Sequence, residues 1–193
     1  MRVAVLAVQG AFIEHIKMIE QLGVECIELR QKADLEQSFD GLILPGGEST
    51  VQGKLLRELE MFEPLQKRIK QGLPVLATCA GLILLAENLS NDERSHFQTL
   101  PVTVKRNAYG RQLGSFYTIE DIDGIKHFPM EFIRAPYIEE VKTGVEILAR
   151  VKDNIVAVRY QNQLAMSFHP ELTEDTRLHE TFLQLIKSSL EKS

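Results

Sequence analysis

Short β-rich runs, each closed by glycine or proline and each followed by apolar residues at helical spacing, leave this chain few architectures. Val3–Val8 is continuously apolar and stops at Gln9-Gly10, as expected of a strand buried on both faces. Phe12, Ile13, Ile16, Ile19 and Leu22 then recur at helical intervals, with Gly23 placed to end the helix. Val24–Leu29 reads as a second strand, and Gly41–Leu44 as a third ending at Pro45-Gly46-Gly47. Residues 50–71 read as helix in two pieces interrupted near Pro64, Pro74–Ala77 as a fourth strand, and Ala80–Glu87 as a helix. Strands that alternate with helices in this way build a parallel sheet covered on both faces.

The second half changes character. Phe97–Val104 reads as a strand, whereas residues 105–130 show no clear period. Gly110, Gly114, Gly124 and Pro129 break that region into loops and short strands. Val145–Lys152, Ile155–Tyr160 and Gln163–Phe168 are joined by Asp153-Asn154 and Gln161-Asn162, and these two-residue joints suit hairpin turns. A closing helix places Leu178, Phe182, Leu185 and Ile186 on one face, with Asp175 as its N-cap. No linker, repeat or low-complexity segment interrupts the chain. Its 193 residues, 44% of them apolar, can bury roughly 70% of the unfolded chain's surface. The expected fold is α/β: residues 1–193 as a single three-layer α/β/α domain, with a mostly parallel central sheet and added antiparallel hairpins in the C-terminal half.

Composition narrows the functional classes. Lys and Arg total 22 against 27 Asp and Glu, a net charge of −5, with no basic cluster to follow a phosphate backbone. Nucleic acid is therefore not an expected partner. Cys26 and Cys79 are the only cysteines and neither belongs to a C-x-x-C, so neither a disulfide framework nor a zinc site is expected. No run approaches 18 apolar residues, and the N-terminal segment lacks the pattern of a signal peptide. A cytoplasmic chain with reduced thiols, bound to no membrane, is the simplest expectation.

Three segments carry chemistry. In Pro74-Val-Leu-Ala-Thr-Cys79-Ala-Gly-Leu-Ile an apolar strand runs into Cys79, and Ala80 and Gly81 open the next helix. That is the layout of a nucleophile elbow, with the Ala80 N–H as an oxyanion donor. A buried structural cysteine between strand and helix reads the same way from this segment alone. In Phe168-His169-Pro170-Glu171, His169 is a base for Cys79, and Glu171 orients the imidazole. Pro170 keeps His169 extended, so side chains two apart share a side. A surface histidine beside a solvated glutamate is the bland alternative, and His15, His96, His127 and His179 lack even that setting. Leu42-Ile-Leu-Pro45-Gly46-Gly47-Glu48-Ser49-Thr50 turns backbone N–H groups outward, which suits an oxyanion or a carboxylate. Arg106 and Arg134 are carboxylate binders if buried and ordinary structural arginines otherwise. Gly46-Gly47, Cys79 and His169 all follow predicted strands, where ligands bind in open α/β sheets. A Cys-His-Glu acyl-transfer site is the reading they support together.

At these residues the chain resembles the class I, triad-type glutamine amidotransferases. Within them it is similar to the branch of glutaminase subunits that serve pyridoxal 5′-phosphate synthase. The resemblance runs over nearly the whole chain, through Val-Leu-Ala-Val-Gln-Gly at 5–10, Leu-Pro-Gly-Gly-Glu-Ser-Thr at 44–50 and Thr-Cys-Ala-Gly-Leu-Ile-Leu-Leu-Ala at 78–86. It continues through Arg-Asn-Ala-Tyr-Gly-Arg-Gln at 106–112, Phe-Ile-Arg-Ala-Pro at 132–136 and Phe-His-Pro-Glu-Leu-Thr at 168–173. The resemblance implies Cys79 as nucleophile, with His169 and Glu171 completing the triad. It implies glutamine bound by Gly47, Glu48, Ser49, Arg106, Ile133 and Arg134, and an oxyanion hole from Gly46, Gly47 and Ala80. It further implies hydrolysis of L-glutamine without metal or cofactor, and ammonia passed to a synthase subunit that builds the pyridoxal ring from a pentose phosphate and a triose phosphate. Such glutaminases are switched on by the partner, which places a misaligned donor at the Gly46-Gly47 peptide or the Gln9-Gly10 turn. One departure is local: Gly114 and Tyr117 stand where acidic residues are expected in many members. Service to a different synthase, or a noncatalytic α/β module with a reactive cysteine, are the alternatives.

Overall fold

The structure, a computed structural model, describes residues 1–107 and 115–192. The first half runs β1 (Arg2–Leu6), α1 (Phe12–Gln21), β2 (Glu25–Leu29), β3 (Gly41–Leu44), α2 (Ser49–Glu58), α3 (Phe62–Lys70), β4 (Val75–Thr78) and α4 (Ala80–Leu85). The second half adds β5 (Ala86–Leu89), β6 (Leu100–Lys105), β7 (Ser115–Ile122), β8 (Ile125–Ile133), β9 (Tyr137–Val141), β10 (Glu146–Val151), β11 (Asn154–Tyr160) and β12 (Gln163–Met166). Helix α5 (Arg177–Leu190) closes the chain.

One sheet orders its strands β2-β1-β3-β4-β12-β11-β9-β6-β5, with β10 on β11, while β7 and β8 pair separately. From β2 through β12 all neighbours are parallel, so the carboxyl ends of β1, β3, β4 and β12 emerge along one edge. Beyond β12 the sheet turns antiparallel through β11, β9 and β6. The two-residue period of a strand divides the core in two. Val3, Val5, Ile43, Leu76, Leu164 and Met166 meet Ile19 of α1 and Phe182 and Ile186 of α5. Ala4, Leu6, Leu42, Leu44, Val75 and Ala77 meet Leu56, Phe62, Leu65, Ile69 and Leu82 of α2, α3 and α4 on the other side. This is the three-layer arrangement that the alternation predicts. No helix among the described residues is long and apolar enough to cross a membrane.

Several local expectations need correction. The predicted helix Ala80–Glu87 stops at Leu85, because Ala86 pairs with Leu100 and places Glu87 in strand β5. The break within 50–71 falls between Glu58 and Phe62, where Glu60 has a positive φ. Pro64 sits instead in the first turn of α3, where a missing N–H costs no helix bond. The predicted strand from Phe97 begins only at Leu100. Much of the region expected to be loops and short strands is the long β7–β8 hairpin, turned at Asp123-Gly124 with both residues at positive φ. Gly110 and Gly114 lie outside the described residues. The β10–β11 turn uses Lys152-Asp153, one residue earlier than expected, again at positive φ. Thr176, not Asp175, is the cap residue of α5, and the Asp175 carboxylate accepts the Arg177 N–H at 3.1 Å.

Core membership also sorts the apolar residues that helical spacing treats alike. Ile13 is 50% exposed, whereas Phe182 is fully buried. Phe182→Ala should therefore cost about 3–5 kcal/mol of unfolding free energy, and Ile13→Ala should stay within about 0.5 kcal/mol of the parent. Urea titration of the three proteins tests the contrast; equal midpoints would contradict this core.

Candidate active site

Strand β4 delivers Thr78 and Cys79 to the carboxyl edge of the sheet. Cys79 has φ +47° and ψ −98°, a combination that strains any residue with a side chain and persists only when its surroundings enforce it. They do so here from both sides. The Cys79 N–H donates to the Met166 carbonyl of β12 at 2.8 Å, and the Cys79 carbonyl accepts the Ile83 N–H of α4 at 3.3 Å. Gly81 lies so close to the Leu44 carbonyl that a Cβ there would overlap it. The thiol is turned out of the strand, with Sγ 4.0 Å from the Ile133 carbonyl at the end of β8. This is the elbow expected from the small residues at 80 and 81.

His169 arrives on the neighbouring parallel strand. Its N–H donates to the Glu131 carbonyl of β8 at 2.8 Å, and its ring lies close enough to the Cys79 side chain to interact with it. Nδ1 lies 2.7 Å from Glu171 Oε1. The two meet by a route other than the expected extended segment, since Pro170–Leu172 is a 3₁₀ turn with proline at its first position. That turn folds Glu171 back beneath the imidazole. A Cβ on Gly46 would overlap the same ring, so glycine at this position is a condition of the ring's placement.

Burial opposes a charge on His169, but interactions with Cys79 and Glu171 outweigh it and raise the imidazole from 6.5 to about 10. Burial opposes the charge on Glu171 as well, and His15 and His169 hold its carboxyl below the ordinary 4.5 all the same. An imidazolium paired with the Glu171 carboxylate is the resulting neutral-pH state.

The loop after β3 frames the site. The Gly46 N–H donates to Thr78 Oγ1 at 3.0 Å, so this donor is already engaged. The Gly46 carbonyl accepts the Ala11 N–H at 2.9 Å, and in a planar trans peptide the Gly47 N–H then points to the opposite side. Gln9 Oε1 accepts the Glu48 N–H at 2.8 Å, and Gln52 Nε2 donates to the carbonyls of Gln9 and Pro45 at 3.0 and 3.1 Å. The β1–α1 and β3–α2 loops are thus braced as a unit. Ser49 is buried, while Gly47 and Glu48 are exposed. Arg106 is mostly buried and pairs with Asp92 and, at 3.2 Å, with Glu48. Ile133 and Arg134 are both exposed, and Arg134 has φ +43°. Of the two arginines, only Arg106 is the sequestered one. Of the segment 106–112, residues 108–112 lie outside the described residues; Tyr117 is exposed on β7.

Sequence reasoning set aside two histidines that belong here. His15 of α1 and His179 of α5 are fully buried with their rings in contact, and His15 stands next to both Glu171 and Thr78. A histidine on the core side of an otherwise apolar helix face was the available signal.

The charged pair predicts a pH profile of stability. The carboxylate's contribution is complete above pH 4.5 and lost as pH falls through its lower folded value. The imidazolium's contribution is complete below pH 6.5 and lost as pH rises through about 10. The stability difference between the parent and Glu171→Gln should peak between pH 4.5 and 6.5 and shrink on either side. Urea unfolding from below pH 4.5 to above pH 6.5 measures it; a difference that stays flat over that wider span would remove the ion pair.

With this geometry in view, the relatives are informative. Residues 5–188 match the model of the SNO glutamine amidotransferase family. The chain is 68% identical over 186 residues to the pyridoxal 5′-phosphate synthase subunit PdxT of Desulfitobacterium hafniense (strain Y51), covering 96% of this chain and 94% of that protein. It is 54% identical over 190 residues to the protein of the same name from Streptococcus pneumoniae (strain ATCC 700669 / Spain 23F-1), covering 97% and 98%. A crystal structure of a glutamine amidotransferase superposes with a TM-score of 0.90 at 45% identity, over 96% of this chain and 98% of that one. By its sequence along almost its whole length, and by the fold that sets Cys79 beside His169, this chain belongs to the SNO glutamine amidotransferase family.

Proposed function

We propose that the chain is the glutaminase subunit of a pyridoxal 5′-phosphate synthase, working through Cys79, His169 and Glu171 as a single catalytic domain over residues 1–193. The observation that carries this reading is the buried His169–Glu171 pair, 2.7 Å apart, with the imidazole beside a thiol on a strained elbow. A buried charged pair adds little net stability, so its place beside the elbow thiol favours a catalytic role. Two free cysteines suit a reducing, cytoplasmic setting.

The steps follow from the arrangement. The Cys79 thiolate attacks the side-chain amide carbon of L-glutamine, a C–S bond forms, and the carbonyl π electrons move to oxygen. N–H groups of Gly47 and Ala80 hold that oxyanion, each worth about 3–4 kcal/mol in a comparable site. Gly46 contributes through its shape more than its N–H, which Thr78 occupies. Collapse restores the carbonyl and breaks the C–N bond as His169 gives its proton to the departing ammonia. A γ-glutamyl thioester remains. Water then attacks it, His169 takes the water's proton, and the C–S bond breaks to release glutamate and the thiolate. Glu171 keeps the imidazole oriented and balances its charge throughout.

The glutamine's own charges define the rest of the site. Glu48 and Ser49, with Gly47, line one side; Ile133 and Arg134 line the other. Arg106, pinned by Asp92 and Glu48, acts chiefly by holding Glu48 in place. The ammonia goes to a synthase subunit that assembles the pyridoxal ring from a pentose phosphate and a triose phosphate. The braced loops around Gly46-Gly47 and Gln9-Gly10 are the elements through which that subunit would adjust the oxyanion donors.

Glutamate release by the purified chain, with and without the synthase subunit, is the direct test. Cys79→Ala and His169→Asn should each lower turnover by about 10⁴-fold or more while leaving the fold intact. Activity that ignores the subunit would point to a different synthase. A folded parent with no activity in either condition would remove the glutaminase assignment.

A further inference from the structure

The triad acid has two oxygens, and only one of them faces His169. Glu171 Oε2 points the other way, 3.4 Å from Nε2 of His15. That same Nε2 is 3.2 Å from Thr78 Oγ1, and His15 Nδ1 is 2.9 Å from His179 Nε2. Among the described residues, neither Glu171 Oε2 nor His179 Nδ1 has a partner within full hydrogen-bond geometry. Every member of this cluster is buried.

These atoms leave two proton arrangements for the histidines. In one, Thr78 donates to His15 Nε2, His15 Nδ1–H donates to His179 Nε2, and His179 carries its proton on Nδ1. That arrangement buries an N–H with nothing to receive it, and sets the lone pair of His15 Nε2 against a carboxylate oxygen. In the other, His179 Nε2–H donates to His15 Nδ1, and His15 Nε2–H donates to Thr78 Oγ1 with Glu171 Oε2 facing the same N–H at 3.4 Å between heavy atoms. Each arrangement leaves one buried donor unreceived, His179 Nδ1–H in the first and the Thr78 hydroxyl in the second, since Thr78 Oγ1 already receives the Gly46 N–H. The second is favoured because the ionised carboxylate then faces an N–H instead of a lone pair, and charge makes that contact the strongest of the set. We propose that His15 and His179 are positioning residues of the glutaminase: His15 directs its Nε2–H at the outer oxygen of Glu171, and His179 locks His15 in that tautomer. The proposal rests on the triad reading given above.

Both histidines act as neutral rings. Burial lowers the pKa of His15 despite the nearby Glu171 carboxylate, and burial carries that of His179 down to about 3. Their effect on Glu171 is therefore that of an oriented dipole, present across the working pH range. The groups facing Glu171 are His169 on its own turn, with Cys79 beyond it, and His15 of α1. His179 of α5 stands behind His15, and Glu14 is the further charge acting on His15. Without the His15 donor the buried carboxyl holds its proton to higher pH and supports the imidazolium less well. The acid limb of activity then moves upward.

Two measurements test this. In the ¹⁵N-labelled parent, long-range ¹H–¹⁵N correlations between about pH 5 and 8 should show His15 and His179 neutral and protonated on Nε2, with His15→Gln used for assignment. A His15 proton on Nδ1, or titration of either ring in that range, would overturn the proposal. In the presence of the synthase subunit, His15→Leu should lower kcat by about 10–100-fold, the range for outer-shell partners of functional histidines. Its KM should stay within about twofold, and its acid limb should move up. His15→Gln, which keeps an N–H near the Nε2 position, should recover most of the loss and the parental limb. A folded His15→Leu with parental kcat and an unmoved limb would contradict the positioning role; if that variant does not fold, the tautomers in the parent decide. An inactive parent would count against the glutaminase reading while leaving the tautomers measurable.

Discussion

Everything at the carboxyl edge of the sheet depends on the backbone of Cys79. A residue at φ +47° between a strand and a helix must be held there, because relaxing it would return the thiol to the sheet. The restraint comes from elements far apart in sequence: the Met166 carbonyl on β12, the α4 turn that begins at Ala80, and the Leu44 carbonyl against Gly81. The side chains at 46 and 81 must be absent for the same reason. In each case the space a Cβ would need is filled by a functional ring or by the backbone that supports the elbow. The parallel register makes this arrangement easy to build, since β3, β4 and β12 end side by side and each contributes one part of the site.

A second constraint is electrostatic. Placing His169 and Glu171 as a charged pair under the surface removes both from water, and such a pair is stable only when its remaining polar atoms also find partners. The molecule answers part of that demand by depth. Oε1 takes the imidazole, His15 approaches Oε2, and His179 backs His15 from the last helix. Thr78 joins this cluster to the loop above, since its hydroxyl receives the Gly46 N–H while facing His15 Nε2. Chemistry at one end and loop position at the other are thereby connected through a single buried side chain. The loop itself is braced by Gln9, Ala11 and Gln52, so a partner that moves either loop moves both.

How much of this could be read in advance varies with the range of the interaction. The parallel half of the sheet was legible because each strand is buried on both faces and stops at a glycine or proline. The segments that carry Cys79 and His169-Pro170-Glu171 were legible because each joins a strand end to reactive side chains within a few residues. The β7–β8 hairpin was missed although Asp123-Gly124 is a strong turn pair and Phe128, Met130 and Phe132 alternate, because Pro129 and the polar residues of β7 obscure the period. The end of α4 at Leu85 was missed because pairing with β6 decides it. His15 and His179 were set aside because 164 residues separate them, and nothing local marks either as the other's partner.

The sequence by itself determined the elements whose stability is local or periodic: the strand–helix alternation, the elbow's small residues, and the His169-Pro170-Glu171 spacing that a single turn can close. Only the tertiary structure decided which strands lie together, that Gly46 must clear the imidazole, that Arg106 is sequestered while Arg134 is exposed, and that two core histidines stand behind Glu171. The division has a physical basis. Backbone conformation responds to near neighbours along the chain, whereas the burial and pairing of a polar side chain depend on what the whole fold packs against it.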